Sequence, residues 1–175
     1  LSAYLRYQQG FRAGGLAVAP SGSTIEDQEF TADDLNLSEL GMRWRNKERD
    51  RLSIRAAIFF VDWNHIQADL VDSSGLPYTA NIGSGRIYGF DGEINWRLSP
   101  AFSVTAAAFL NDSHLYETEP ALAVDDQNTL PNIAKDGVRV AAAWRKEIAN
   151  GVVLSGDASL RYVGESHLGA GPLAQ

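Results

Sequence analysis

The chain lacks cysteine altogether, so among its 175 residues there are no thiol nucleophiles, thiolate metal sites or disulfides. It also lacks an excess of positive charge. Its 15 Lys and Arg face 22 Asp and Glu, giving a net charge of −7 and a pI near 4.9. The densest run of cations, Arg43 to Arg51 around Trp44, is broken by Glu48 and Asp50, and the overall negative charge argues against nucleic acid as a partner. No segment approaches the roughly 18 apolar residues that a spanning helix needs. That excludes helical membrane proteins only, because a barrel strand alternates lipid-facing and wet side chains and averages near zero hydropathy. The mean hydropathy of −0.19 agrees with such a pattern. Leu1 opens inside a strand-like stretch with no basic leader and apolar run before it, so the chain reads as an internal piece of something larger.

What is present is alternation with a period of two. From Tyr88, one set comprises Tyr88, Phe90, Gly92, Ile94, Trp96 and Leu98, and the interleaved set comprises Asp91, Glu93, Asn95 and Arg97. A strand sends successive side chains to opposite faces, so this stretch predicts one apolar, aromatic face and one charged face. The same pattern recurs at residues 3–8, 36–45, 51–62, 102–111 and 152–163. Residues 138–149 also suit a helix begun at Asp136. The Asn150–Gly151 pair that follows is a hairpin turn signal and favours a strand. Seven strands are therefore expected, in an all-β antiparallel up-and-down meander.

The connections sort into two kinds. Short ones fall at 46–50, 99–101 and 148–151, and longer ones at about 10–35, 72–79 and 112–135, in strict alternation. A meander with all short turns at one rim and all long loops at the other produces this order, as in outer-membrane barrels. A soluble sandwich has less reason to keep the two kinds in phase. Trp44, Trp96 and Trp144 each precede a short turn by a few residues. They are expected to form an aromatic girdle at one membrane interface. Glu39, Arg43, Arg55, Asp91, Glu93, Arg97, Arg139, Asp157 and Arg161 are expected on the lumen-facing side, as a lattice of cross-strand pairs.

Candidate chemistry is sparse. The Gly10–Gly15 segment lacks the Lys-Ser/Thr of a phosphate loop, and its glycines are read as letting a loop leave its strand. His65, His114 and His167 have no neighbouring ligands at zinc spacing. The acidic groups Asp33-Asp34, Glu117-Glu119 and Asp125-Asp126 fall in expected loops and are read as solvated charge or loose divalent-cation binding near lipopolysaccharide. No nucleophile elbow is present. No catalytic residue, metal site or cofactor is expected.

Specific segments then resemble a known family. Gln9-Gly10-Phe11-Arg12-Ala13-Gly14-Gly15 after Tyr4-Leu5-Arg6-Tyr7 is similar to a segment of TonB-dependent receptor barrels. Asn81-Ile82-Gly83 followed by Arg86-Ile87-Tyr88-Gly89-Phe90-Asp91-Gly92-Glu93 resembles a strand of the same family, with Asp91 where Glu is more usual. Ala57-Ile58-Phe59-Phe60-Val61-Asp62 with Ile66-Gln67 resembles another. The resemblance implies a 22-stranded outer-membrane barrel plugged by an N-terminal domain, which takes up ferric siderophores, cobalamin, haem or saccharides. Its implied partners are outer-membrane lipid and lipopolysaccharide, its own plug domain, the inner-membrane energy-coupling complex and a small ligand such as a ferric siderophore. On this reading residues 1–175 form a single barrel fragment without plug or terminal strand, from a Gram-negative outer membrane. Seven strands cannot close a bacterial barrel, so a curved open sheet is expected. A passive porin or structural barrel and a soluble β-sandwich carbohydrate-binding module are the competing readings.

Overall fold

A computed structural model of the chain describes residues 1–17, 29–46, 51–71, 75–118, 130, 132–149 and 151–166. The described residues form eleven strands: β1 (Ser2–Arg12), β2 (Gly15–Leu16), β3 (Glu29–Phe30), β4 (Asp33–Arg45), β5 (Leu52–Asn64), β6 (Gln67–Val71), β7 (Pro77–Asn81), β8 (Gly83–Ser99), β9 (Phe102–Thr118), β10 (Asp136–Ala149) and β11 (Val152–Val163). Seven of them build one antiparallel sheet in the order β1-β4-β5-β8-β9-β10-β11. These are the seven expected strands, and each pairs with its neighbour in the chain of long strands. The remaining four form two small hairpins, β2-β3 and β6-β7, set into the first two long connections.

The register carries the sequence pattern across the sheet. Leu5, Leu40, Ile58, Phe90 and Leu110 stand in one row on one face. Trp44, Ile54, Ile94, Ala106, Val140 and Leu160 form another row on that face. The opposite face carries Ser2, Arg43, Arg55, Glu93, Ala107, Arg139 and Arg161 in a single row. A slip of one residue in any strand would exchange these faces, so the charge pattern itself specifies the register.

The strands are longer than the alternation suggested. The structure carries β9 on to Thr118, and over Asn111-Asp112-Ser113-His114 both faces are polar, so hydrophobic alternation gives no signal there. The second long connection is also no open loop. His65, with φ of 51°, turns the chain out of β5 into the β6-β7 hairpin, and Gly83 at φ 129° returns it to β8. On the short-turn side, Gly151 has φ of 79°, a left-handed value natural to glycine, just before β11.

The buried core sits at the long-loop end of the charged face. Val61, Ile87 and Leu115 from the sheet pack with Ile66, Leu70 and Ile82 from the folded-over hairpin, together with Leu130. Ile82 is fully buried. Gly85 leaves the space for this: a Cβ there would meet Leu130 at 2.8 Å and Ile66 at 3.3 Å. Phe59 and Trp63 pack against the core's edge. Sheet sequence thus places polar residues on the charged face near the short turns, and apolar ones where the hairpin covers it.

Candidate functional site

The site is built on the charged face between the short turns and the covered core. A groove of about 600 Å³ crosses it, lined by five arginines (Arg6, Arg43, Arg55, Arg139, Arg161) against three carboxylates (Glu39, Asp91, Glu93). Arg6 forms an ion pair with Glu39 directly across from it. Arg55 reaches Glu93 at 3.8 Å, an exposed contact of at most about 1 kcal/mol. Asn95 donates to Glu93 at 2.6 Å, and Thr105 donates to Asn95 at 2.8 Å. Arg43 lies over the Tyr4 ring at 5.3 Å.

The nine residues expected to form a pairing lattice all stand on this one face, but only some meet. Arg43 lies directly opposite Arg55, and Arg139 opposite Arg161, so two like-charged pairs face each other across strands. Directly opposed like charges are unfavourable unless an anion lies near. Arg97 on β8 sits opposite Ser103, and Asp157 on β11, three strands away, sits opposite Ala143. The expected lattice omits Arg6 and Tyr4, although both lie within the alternating stretch 3–8 of β1. Their alternation with Ala3, Leu5 and Tyr7 was the available signal.

Three aromatic rings on the charged face cover glycines directly opposite them: Tyr4 over Gly41, Phe59 over Gly89 and Phe109 over Gly137. A Cβ at any of these glycines would run into the ring. Gly89 in the motif strand is therefore explained by the Phe59 ring lying on it.

The acidic residues correct the sequence reading. Asp33 begins β4 and is no solvated loop charge; it is 2% exposed. It accepts from the Arg12 amide at 3.0 Å, from Arg12 Nε at 2.8 Å and Nη2, and from Trp63 Nε1 at 3.1 Å. Burial pushes its carboxyl up, but the bonds from Arg12 and Trp63, the Arg12 charge and the Gln67 backbone outweigh that and hold it below the ordinary carboxylate range. Asp34 points to the other face and accepts from Asn64 at 3.0 Å. Glu117 lies in β9, whereas Glu119, Asp125, Asp126 and His167 fall outside the described residues. Gly10 is not a loop glycine; it lies within β1 opposite Leu35. His65 occupies a turn and His114 pairs with Asp112 at 3.0 Å on the apolar-side face. No three metal-binding side chains converge among the described residues.

The apolar face is banded. Its large residues are exposed, among them Leu5, Leu40, Ile58, Phe90, Ile94, Leu110, Val140 and Leu160. Toward the long loops the band ends at Tyr7, Phe60 and Tyr88, the last two with ring centroids 5.0 Å apart. Beyond them comes a polar crown in which Arg86 bonds Asp62 at 3.0 Å and lies 4.6 Å from the Tyr116 ring. Toward the short turns stand the three tryptophans, in a staircase. Trp44 shares a row with Ile94, Trp96 lies two residues nearer the short turns, and Trp144, level with Phe102, lies two nearer again. The turns climb in the same direction: β8 runs to Ser99, three residues past the level of Leu52, and β10 runs to Ala149, five past Phe102.

Residues 1–172 match the family described as TonB dependent receptor-like, beta-barrel. The chain belongs to the TonB-dependent receptor β-barrel family. Its place is accordingly the Gram-negative outer membrane, and the family is one of receptors and not of enzymes. The catecholate siderophore receptor Fiu of Escherichia coli K12 is 24% identical over 155 residues, covering 89% of this chain and 19% of that protein. The fold is similar to that of the ferric yersiniabactin uptake receptor FyuA from Yersinia pestis, with a TM-score of 0.72 and 20% identity over 95% of this chain and 24% of that one. It is also similar to BauA, the ferric preacinetobactin receptor from Acinetobacter baumannii, with a TM-score of 0.65 and 18% identity over 94% of this chain and 24% of that one. The chain thus spans about a fifth of the length of the curated relatives it matches. Membership sets aside the β-sandwich reading.

Proposed function

We propose that this chain forms seven neighbouring wall strands of an outer-membrane receptor that imports a ferric siderophore. The apolar face lies in lipid, and the charged face lines a wet interior. The observation that carries the orientation is the tryptophan staircase. Two residues of rise over two strands amounts to about 35° from the perpendicular, given ~3.3 Å per residue and ~4.8 Å between strands. Membrane barrels tilt their strands by about 35–45°, which brings a line of that slope into one plane parallel to the bilayer. On β8, Tyr88 and Trp96 are eight residues apart. At that tilt they are separated by about 20 Å along the membrane normal, close to the ~25 Å apolar band of such barrels.

Residues Glu39, Arg43, Arg55, Asp91, Glu93, Arg97, Arg139, Asp157 and Arg161 then face the lumen. The groove among them carries more arginines than carboxylates, and the receptor's own plug domain is the partner proposed to lie against it. Trp44, Trp96 and Trp144 lie at the inner-leaflet interface, and the polar crown meets the lipopolysaccharide headgroups. Energy comes from the inner-membrane coupling complex through the intact protein. Named relatives that carry catecholate, yersiniabactin and preacinetobactin ligands support the siderophore class.

The test uses the full-length gene in its host. Deletion should abolish growth on a ferric siderophore as sole iron source, and uptake should stop when the proton gradient is collapsed. Uptake that continues without the gradient points to a passive porin and overturns the receptor reading.

A further inference from the structure

The two long connections flanking β4 and β5 are tied to each other at their bases. Buried Asp33 accepts from Arg12 and Trp63, and the same Arg12 guanidinium donates to the Gln67 carbonyl at 3.0 Å. Gln67 opens β6, so this charge-assisted cluster joins the neck of the β1–β4 connection to the base of the β6-β7 hairpin. Gln67 answers from its side. Its Nε2 donates to the carbonyls of Ala13 at 3.1 Å and Thr31 at 2.9 Å, one on each side of the first connection. Asn81, paired with Gln67 across the hairpin, completes the clasp. Its Oδ1 accepts from the Thr31 amide at 2.7 Å and its Nδ2 donates to the Thr31 carbonyl at 3.2 Å and to the His65 carbonyl. The side-chain amide thereby pairs with Thr31 as a neighbouring strand would.

The neck itself is closed tightly. A Cβ at Gly14 would overlap the backbone of Phe30 to Ala32. Beneath the clasp, Ile66 and Ile82 exchange backbone bonds with β8 and each other at 2.7 and 2.8 Å and are buried in the core. Neither connection can lift from the sheet without opening contacts of the other.

We infer that Asp33, Gln67 and Asn81 are positioning residues that fasten these two outer connections into a single body at the mouth of the barrel. The two move, order and loosen together, whatever ligand the receptor carries. The coupling depends on no step of uptake and stands independently of the siderophore reading.

Hydrogen exchange of the full-length receptor in membranes tests this. Asp33→Asn, Gln67→Ala and Asn81→Ala should each raise exchange about threefold to tenfold, the scale of one lost hydrogen bond, in Gly15–Leu16 and Glu29–Phe30 and in β6 and β7 alike. Asp62→Asn breaks an ion pair near the same rim on the opposite face, and should leave both connections unchanged. Should Asp33→Asn fail to assemble, Gln67→Ala and Asn81→Ala decide, since both leave the Asp33–Arg12 pair in place. Faster exchange confined to the hairpin in those two variants, with Gly15–Leu16 and Glu29–Phe30 at the wild-type rate, overturns the inference.

Discussion

Ala107 and Ala108 are adjacent residues of equal size on opposite faces, and they make the sharpest test of the membrane orientation. Ala108 pairs with Gly92, which lies four residues from both Tyr88 and Trp96 and so midway between the two aromatic levels. Ala107 stands between Glu93 and Arg139 on the charged face. An arginine on the lipid face costs about 2–4 kcal/mol at the bilayer midplane. Ala108→Arg should therefore lower stability by about 3 kcal/mol, a shift of more than about a hundredfold in the folding equilibrium. In Ala107→Arg the new guanidinium meets one carboxylate and one arginine in water, and its cost should stay within about 0.5 kcal/mol. Urea titration of the full-length receptor refolded in lipid vesicles, followed by tryptophan fluorescence, measures both. Equal costs, or a greater cost for Ala107→Arg, would refute the assignment of faces.

Further outcomes follow from the same geometry. Gly89→Ala drives a methyl into the Phe59 ring and should cost about 1–3 kcal/mol by urea titration, with most of it recovered when Phe59→Leu is added. Lipids brominated at known depth should quench Trp44, Trp96 and Trp144 alike and leave Trp63, which packs against the covered core, unquenched. A different depth for Trp44 and Trp144 counts against the common plane. Asp33 is held below the ordinary carboxylate range, so its stabilisation is complete above the unfolded-state pKa and is lost as pH falls through the lower folded one. Acid should loosen the hairpin in that window, and Asp33→Asn should flatten the dependence; an unchanged pH profile in the variant would exclude Asp33 as its source.

The sheet was readable because apolar residues on one face and charge on the other impose a period of two over every long strand. Strand count, faces and the loop alternation follow from that alone. The pattern fails wherever both faces are polar, which is why β9 beyond Asn111 was taken as loop. It fails again where a segment covers the sheet: the β6-β7 hairpin places Ile66, Leu70 and Ile82 in a core made by tertiary contact, with no periodic signature of its own. Asp33 illustrates the same limit. Beside Asp34 it looks like solvated charge, and only the register that sets it opposite Arg12 turns it into a buried acceptor. The arginine pairs Arg43/Arg55 and Arg139/Arg161 are likewise visible only through register, since sequence gives the face of each but not the residue opposite.

The clasp at the loop necks has a bearing on how this surface can be altered. It makes the base of the β6-β7 hairpin a stem, anchored at Gln67 and Asn81 against Ala13 and Thr31, with a tip at the exposed Gly75-Leu76 turn beyond it. Extra chain inserted between Val71 and Pro77 should add to the tip without loading the wall strands, as exposed loop ends tolerate insertion. The same insertion at Ile66 or Ile82 would tear the stem. An affinity tag or fluorescent reporter for the living cell surface therefore belongs at the tip.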